Sequence, residues 1–249
     1  MPEVSPKVVL LRYTREPEEL VAMGAKLCYS SSDISDLMKG IERKDQQAFV
    51  DKLMEYGHFS PVEHASFTFA VEGVSRSLLA QITRHRIASF SVKSQRYVSE
   101  GKEDGSTFNF VIPPSIRSLG DEAVAEYKEQ MEQIQAWYNG WLEKLGGSGE
   151  RANQDARFVL PNAAETKFIM TMNARELLHF FRLRCCNRAQ WEIRTLARMM
   201  LKAVKEVSPG IFRNAGPGCL EGRCPEGRMS CGRMQEVRRE YENLSREEE

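Results

Sequence analysis

Short runs with strand character are spread along the sequence between longer segments with helical periodicity. Four runs predict strands: VVLLRYT, ASFTFAVEGV, STFNFVIP and TKFIMTM. Apolar residues recur with helical spacing in residues 16–30, 44–56, 75–86, 122–145, 173–184 and 187–207. Few strands, many helices and no internal repeat together predict a single α+β domain in which helices cover an antiparallel sheet.

The charge balance excludes a general attraction to polyanions. Lysine plus arginine and aspartate plus glutamate both number 35 in 249 residues. We therefore expect neither nucleic acid nor a membrane as a partner. The N-terminal apolar run spans only residues 8–11, and no run approaches the roughly twenty apolar residues of a spanning helix. Six cysteines in a chain of this length suit a reducing compartment, so we expect a cytoplasmic protein.

Positive charge is concentrated locally in two places. The stretch RHRIASFSVKSQRY, residues 84–97, holds four basic residues and no acidic one. Between residues 156 and 198 eight basic residues face only three glutamates. Any single arginine of this kind is most simply a solvated surface residue. Two clusters short of acids instead indicate an anionic ligand, and the planar guanidinium donors favour a phosphorylated small molecule.

The serines near the first cluster suggest how a phosphate is held. Ser89, Ser91 and Ser94 follow the predicted helix of residues 75–86, so we expect a loop of hydroxyls and backbone N–H groups beside Arg84 and Arg96. A catalytic serine is disfavoured because the motif supplies no base and orienting acid for Ser94.

No strong metal or dinucleotide motif is present. His58 and His64 make a poor metal pair, and Cys219, Cys224 and Cys231 lack a fourth ligand at short spacing, so we predict no metal site. Neither G-x-G-x-x-G after a strand nor G-x4-G-K-[ST] occurs, so no Rossmann domain is expected. Two alternatives stay open: an arginine-rich nucleic-acid surface and a zinc module built on the tail cysteines.

Several segments resemble one enzyme family. Arg84-His85-Arg86, seven further residues and Ser94 resemble the R-H-R-x7-S signature of the flavin-dependent thymidylate synthases. GHFSPVEH (57–64) resembles the family's G-H-x-[ST]-P-x-E-H segment, and ARFVLP (156–161) its A-R-x-x-L-P segment. NAREL, FFRLR and AQWEIR resemble its C-terminal helices.

The resemblance implies a fold, a reaction and an assembly. It implies one domain over residues 1–215, followed by a cysteine-containing extension with a charged tail over residues 216–249. It implies conversion of dUMP to dTMP, with the carbon from methylenetetrahydrofolate and the hydride from FAD that NADPH has reduced. It also implies a homotetramer whose active sites are shared between chains, and no cysteine nucleophile.

The resemblance implies site residues position by position. Arg184 is implied to be catalytic, sitting on the uracil ring and favouring loss of its N3 proton, because a fixed positive charge stabilises the anionic ring. Flavin contacts are implied for Ser60, Arg84, His85, Arg86, Asn173, Ala174, Arg175 and His179. Substrate contacts are implied for Gln81, Ile82, Thr83, Arg84, Ser94, Gln95, Arg96, Arg157 and Arg184, with His58 and Tyr97 flanking the folate and flavin region.

Two positions depart from the family pattern. Val92 stands where some relatives have glutamate or glutamine, so only backbone contact remains there. His179 stands where others have asparagine, and we expect a ring nitrogen of His179 to make the flavin contact that the resemblance implies.

Overall fold

A computed structural model describes residues 2–42, 46–102 and 105–244 of the chain. The described residues form two compact units. Unit 1 is built from Met1–Lys7, Ala70–Arg84 and Phe90–Ile169, and unit 2 from Val8–Phe69, His85–Ser89 and Met170–Glu249. Both units draw on early and late parts of the sequence, which fits the predicted single-domain chain. The proposed boundary between residues 215 and 216 stays a prediction.

The four strands form one antiparallel sheet, which confirms the predicted α+β fold class. They are β1 (Lys7–Tyr13), β2 (Ser66–Ser75), β3 (Ala88–Val92) and β4 (Glu165–Asn173). Their order across the sheet is β1-β2-β4-β3. Within unit 1, Phe90 of β3 and Phe168 of β4 pack edge to face with ring centroids 6.2 Å apart.

Eleven helices accompany these strands in the described ranges. They are α1 (Pro17–Leu27), α2 (Ile34–Glu42), α3 (Gln47–Glu55), α4 (Arg76–Ile82), α5 (Pro114–Arg117), α6 (Asp121–Lys144), α7 (Glu150–Ala156), α8 (Ala174–Arg184), α9 (Trp191–Val207), α10 (Pro209–Phe212) and α11 (Met234–Leu244). Short 3-10 turns cover Pro61–His64, Arg157–Val159 and Gly227–Met229. In the described part of the chain, every helix is too short or too polar to cross a bilayer.

Most predicted elements are confirmed, but two predictions are wrong. Residues 106–113 form no strand and make only isolated bridges at Phe110. The backbone of this segment hydrogen-bonds to a side chain instead of a neighbouring strand: the N–H of Phe108 donates to Oε1 of Gln135 at 2.7 Å. Conversely, Ser89 and Ser91 lie in β3 rather than in a loop of hydroxyls, because Ala88, Phe90 and Val92 alternate with them as a half-buried strand requires.

Helix boundaries also refine the prediction. The helix predicted over residues 75–86 begins at Ser75, which caps α4 by accepting from the N–H of Leu78 at 3.1 Å. The helix ends at Ile82, so the RHR segment lies beyond it rather than on its last turn. Helices α2 and α11 were not expected. Residues 44–45 of the helix predicted over residues 44–56, and the last five residues of the charged tail, lie outside the described residues.

Unit 1 has its core along α6. Phe108, Phe110 and Ile112 pack with Met131 of this helix and Ala164, and a second cluster joins its C-terminal half to α7. The many glutamates of α6 lie on its exposed face. Burying each phenylalanine contributes about 1.5–3 kcal/mol.

A glycine allows β2 to pass close to the N-terminal segment in unit 1. Gly73 has φ of 71°, and a Cβ there would lie 1.9 Å from the carbonyl oxygen of Ser5. Its N–H donates to Oε1 of Glu165 at 3.0 Å. Only glycine combines this backbone angle with this approach.

Unit 2 has an aromatic core under α8 and α10. Phe67 and Phe212 meet edge to face at 5.3 Å, and Phe181 of α8 contacts Phe212 at 6.0 Å. Glu18 of α1 is held against α10, since the N–H of Gly210 donates to its Oε1 at 2.5 Å. Burial raises the pKa of Glu18. This packing fixes α8, which carries three of the predicted flavin residues, Ala174, Arg175 and His179.

Candidate functional site

Helix α8 presents one set of candidate site residues in unit 2. Its cap is Asn173, whose Oδ1 accepts from the N–H of Glu176 at 2.9 Å. Ala174 is buried, whereas Arg175 and His179 are exposed and lie four residues apart on one face of the helix. Arg184 is the last residue of the helix. One element therefore positions five residues that the sequence singled out.

A buried histidine connects two charged residues of α8. His85 is 5% exposed, and its Nδ1 lies 2.8 Å from Oε1 of Glu176, which is also buried. On the other side of the ring, Nε of Arg184 donates to Nε2 of His85 at 3.1 Å. The rings of His179 and Phe180 pack against it, with centroids 6.0 and 5.0 Å away. Glu176, His85 and Arg184 thus form a continuous hydrogen-bonded chain.

This chain fixes the tautomer of His85. Because a guanidinium only donates, Nε2 must carry a lone pair, and the ring proton must therefore sit on Nδ1 and be donated to Glu176. Burial lowers the pKa of His85; the hydrogen bond to Glu176 opposes this shift, and the charge of Arg184 lowers the pKa further. The ring is thus neutral at neutral pH and holds Arg184 by its Nε.

The segment that resembles G-H-x-[ST]-P-x-E-H lies beside α8 in unit 2. Glu63, in the 3-10 turn after Ser60, forms an ion pair with Arg175. His58 and Ser60 are exposed. The pair tethers this turn to the first turn of α8, so the two motif segments are brought together.

A wide cavity of about 950 Å³ opens in unit 2 along the exposed face of α8. It is lined by Arg175 and His179 of the predicted flavin set and by Arg182 and Arg213, among others. Arg182 pairs with Glu221 and Arg213 with Asp51, and both arginine side chains are about half exposed. Exposed pairs of this kind contribute only about 0–1 kcal/mol to stability. The size and donor set suit a large anionic cofactor.

The two arginines of the RHR segment point in a different direction from the histidine between them. Arg84 and Arg86 are exposed whereas His85 is buried. Neither arginine forms an ion pair with any residue that the structure describes. This alternation leaves two cations available to an anionic ligand.

The candidate phosphate-binding residues of the R-H-R-x7-S motif lie in unit 1. Oγ of Ser94 accepts from the N–H of Arg96 at 3.2 Å, which makes a tight turn after β3. Gln95 is buried, and its Nε2 has no hydrogen-bond partner among the described residues. A buried amide donor of this kind is costly unless a ligand or water satisfies it. Arg96 packs over the ring of Tyr97 at 5.3 Å.

Helix α7 connects Arg96 with Arg157 in unit 1. Arg96 pairs with Glu150, the first residue of the helix, and its carbonyl accepts from Nδ2 of the buried Asn153 at 3.1 Å. Arg157 caps the other end of α7, with Nε donating to the carbonyl of Gln154 at 3.1 Å. Two arginines that are distant in sequence are therefore held by one short helix.

Other basic residues near the motif play different parts. Lys93 is neutralised by Glu100 at 2.5 Å. Arg76, at the start of α4, was not singled out from the sequence; burial lowers its pKa, and the nearby charge of Arg157 lowers it further. Arg76 therefore belongs to the same cationic region of unit 1 as Arg157.

The predicted residues 81–83 lie at the C-terminal end of α4. The side chain of Ile82 is completely buried, so only its backbone is available to a ligand. Nε2 of Gln81 donates to the carbonyl of Ser77 at 3.3 Å, and Oγ1 of Thr83 donates to that of Leu79 at 2.8 Å. Their roles in binding stay predictions.

Glu176 is the residue of the site that sequence reasoning missed. It lies in the NAREL segment directly after Arg175, and its partner His85 is 91 positions away in sequence. The available signal is local: Glu176 lies three residues after the cap Asn173, a spacing that resembles a capping box and is typical of a solvent-exposed helix start. The structure instead buries its carboxylate against the imidazole.

The chain is similar to known proteins over most of its length. Residues 9–210 match the family model described as thymidylate synthase complementing protein. The chain is 51% identical over 239 residues to a flavin-dependent thymidylate synthase of Geobacter sulfurreducens, covering 96% of this chain and 99% of that protein. It is 48% identical over 245 residues to a flavin-dependent thymidylate synthase of Clostridium tetani, covering 94% and 96%.

A solved structure is similar in fold. The crystal structure of a UMP/dUMP methylase PolB from Streptomyces cacaoi bound with 5-Br dUMP superposes with a TM-score of 0.70 at 25% identity. The match covers 85% of this chain and 94% of that one. With the matching family model and these relatives, the chain belongs to the flavin-dependent thymidylate synthase family of enzymes.

Proposed function

We propose that this chain methylates dUMP to dTMP, taking the carbon from methylenetetrahydrofolate and the hydride from FAD that NADPH reduces. The observation that carries the proposal is the chain of hydrogen bonds from buried Glu176 through His85 to Arg184. The similarity to flavin-dependent thymidylate synthases supports the reaction, and the 5-Br dUMP bound to the Streptomyces methylase supports the substrate.

Arg184 stabilises negative charge in this proposal. Its Nε is engaged by a neutral imidazole, so the guanidinium plane is fixed while its full charge remains. When the uracil ring of dUMP loses its N3 proton, a fixed cation beside the ring stabilises the anion without reorganising. The neutral state of His85 matters because a second cation would repel Arg184.

Most of the residues that fit a flavin belong to unit 2, and Arg84 ends a segment of unit 1. Arg175 and His179 line the wide cavity, and Arg84 and Arg86 offer cations that no described carboxylate neutralises. These four, with Ser60, Asn173 and Ala174, would hold the cofactor, His85 orienting the arginine beside it. When bound, flavin supplies hydride transfer, which no side chain of the chain can perform.

The residues of unit 1 fit the nucleotide phosphate. Arg96 and Arg157 are both fixed by α7, and Ser94 and the unpaired amide of Gln95 add donors. Guanidinium groups bind phosphate through paired charge-assisted hydrogen bonds. We assign Arg96 and Arg157 to the phosphate and Gln95 to the sugar or phosphate.

A homotetramer with shared active sites completes the proposal. Three large apolar side chains that directly follow candidate ligand-binding arginines in sequence are exposed. Ile87, Tyr97 and Phe158 are 65%, 66% and 83% exposed. Exposed aromatic side chains beside a binding site favour cover by another subunit. Size-exclusion chromatography with light scattering should give a particle of four chains; a monomer that turns over would contradict the shared sites.

A spectroscopic experiment tests the proposed function. The protein purified in the presence of FAD should retain flavin absorbance, and this should bleach when NADPH is added without oxygen. The Arg184→Ala variant should retain flavin and bleach normally while losing about 100- to 1,000-fold in kcat, the cost of removing one preorganised charge donor. Arg188→Ala is the matched control, because Arg188 is an exposed arginine outside the candidate site.

Two outcomes would overturn the proposal. A protein that neither binds nor can be reconstituted with FAD excludes the flavin chemistry. Full activity in Arg184→Ala, with Arg188→Ala equally active, excludes the role given to Arg184.

A further inference from the structure

Four cysteines line one small cavity in unit 2. The cavity has a volume of about 80 Å³, and Cys186, Cys219, Cys224 and Cys231 all contribute to its wall. The remaining lining is mostly apolar, and its charged residues are Arg182 and Glu226. The cavity is separate from the Glu176–His85–Arg184 chain, and the proposed reaction uses none of its thiols.

The fourth thiol comes from a different part of the chain. Cys219, Cys224 and Cys231 lie between α10 and α11, and in sequence they lack a fourth ligand. Cys186 supplies it from the turn directly after α8. Its neighbour Cys185 is buried and does not line the cavity; burial raises its pKa to about 12. The adjacent cysteines therefore have different environments.

Two N–H groups point at sulfur atoms of the cluster. The backbone N–H of Arg188 donates to Sγ of Cys186 at 3.5 Å, two residues along the same turn. Nδ2 of Asn187 lies 4.0 Å from Sγ of Cys231. Such donors stabilise thiolate sulfur and orient it, as outer-shell hydrogen bonds do around metal ligands. They also connect the turn after α8 with the last cysteine of the extension.

The thiols repel one another when ionised. Burial raises the pKa of Cys219, and Cys224, Cys186 and Cys231 raise it further. Burial likewise raises the pKa of Cys186, with smaller contributions from Cys231 and Cys224. All four thiols line one cavity, so a dication held there would be shared by the four sulfurs.

We propose that Cys186, Cys219, Cys224 and Cys231 bind one thiophilic divalent metal ion, zinc. Four thiolates in a cavity of this size match a closed structural zinc site, which holds one ion in tetrahedral geometry. On binding, the four S–H bonds give way to four Zn–S bonds and the protons go to solvent, so no oxidant or reductant is needed. This departs from the sequence expectation of no metal.

Binding must draw the four sulfurs together. Among the residues that the structure describes, no group of three or more His, Cys, Asp or Glu is already arranged to hold a metal ion. The segment that has to close carries Gly222 and Gly227 with positive φ, 146° and 51°, and open space around each Cα. Because Cys186 follows Arg184 by two residues, the ion would tie the extension to the end of α8.

Metal analysis of the full-length protein tests the site. Protein produced with zinc in the medium and passed over a chelating column should keep about one zinc per chain. Apoprotein titrated with Co²⁺ should develop the thiolate-to-metal absorption and intense visible bands of tetrahedral tetrathiolate coordination. Cys186→Ser should lose most of the bound zinc and the cobalt spectrum, whereas Cys28→Ser, the matched control at an exposed thiol outside the cavity, should keep both.

Three results would overturn the proposed zinc site. Substoichiometric metal in the wild-type protein together with no cobalt–thiolate absorption would overturn the proposal. So would equal zinc content in Cys186→Ser and Cys28→Ser. Iron in place of zinc, with sulfide released by acid, would show a cluster instead of a single ion and would likewise overturn it. The readouts need no enzyme activity, so they stand apart from the proposed function.

Discussion

Nε of Arg184 lies 3.1 Å from Nε2 of His85, and the proton that makes this hydrogen bond belongs to the arginine. The imidazole therefore accepts from a cation on one side and donates to the carboxylate of Glu176 on the other. This arrangement holds the guanidinium from within the protein. The orientation of Arg184 therefore depends on His85 and, through His85, on Glu176.

Glu176 should act as a positioning residue. Replacing it with alanine leaves Nδ1 of His85 without its acceptor, so the ring is free to turn and Arg184 shifts. We expect kcat to fall by up to about 100-fold, the cost of misplacing a reacting group by about 1 Å, with flavin binding retained. Glu176→Gln keeps an acceptor oxygen and should recover much of the loss. Steady-state kinetics of both variants test this; equal activity of Glu176→Ala and wild type would contradict it.

The neutral state of His85 predicts an acid-sensitive fold. Burial lowers its pKa below the ordinary value of about 6.5, so below that pH the unfolded chain binds more protons than the folded one. The stability contributed by His85 is therefore complete above pH about 6.5 and is lost as the pH falls towards the lowered pKa.

Urea unfolding at pH 7 and pH 5.5 measures this effect. The wild-type protein should lose more stability between these values than His85→Gln. His58→Gln, which removes an exposed histidine of the same unit, should behave like wild type. Equal losses in the free energy of unfolding between pH 7 and pH 5.5 for wild type and His85→Gln would show that protonation of His85 does not destabilise the fold.

Arg96 should contribute to dUMP affinity, and its partner Glu150 should not. Arg96→Ala removes a charge-assisted bond to phosphate, worth about 1.5–3 kcal/mol, so the Kd for dUMP should rise at least about tenfold. Glu150→Ala releases Arg96 from its ion pair and should leave affinity unchanged or tighter. Arg117→Ala is the control, since Arg117 is a comparably exposed arginine of unit 1 paired with Glu3. Calorimetric titration of dUMP would refute the assignment if Arg96→Ala and Arg117→Ala bound equally well.

Gly73 should not tolerate a side chain. Alanine there combines a φ of 71° with a Cβ 1.9 Å from the carbonyl oxygen of Ser5, so part of unit 1 must move. We expect a loss of at least about 3 kcal/mol in the free energy of unfolding, as strained backbone and steric overlap add. Gly140→Ala, in α6 with open space around the new Cβ, should instead be neutral or gain about 0.5–1 kcal/mol. Thermal melts that rank the two variants in the other order would contradict the geometry.

The sequence predicted those elements whose signals are local. The cap at Ser75, the alternation in β2 and the long periodicity of α6 each depend on neighbouring residues, and the structure has all three. β3 was missed because five residues flanked by basic side chains offer little apolar pattern, although Ala88, Phe90 and Val92 do alternate.

Contacts between distant residues were beyond the sequence. The hydrogen bond between His85 and Glu176 depends on tertiary packing that no spacing rule encodes. The same holds for the position of Cys186 and Cys219 in the wall of one cavity. The strand expected at residues 106–113 failed for a related reason, since Gln135 takes the backbone N–H that a neighbouring strand would use. The cytoplasmic location stays a prediction.

We propose that this chain converts dUMP to dTMP with a flavin as the source of hydride. The most direct measurement supplies the purified protein, loaded with FAD, with dUMP, methylenetetrahydrofolate and NADPH, and quantifies dTMP over many turnovers. We predict that dTMP accumulates in excess of the enzyme and that omitting FAD or NADPH abolishes it. Flavin-loaded protein that binds dUMP but forms no dTMP under these conditions would contradict the claim.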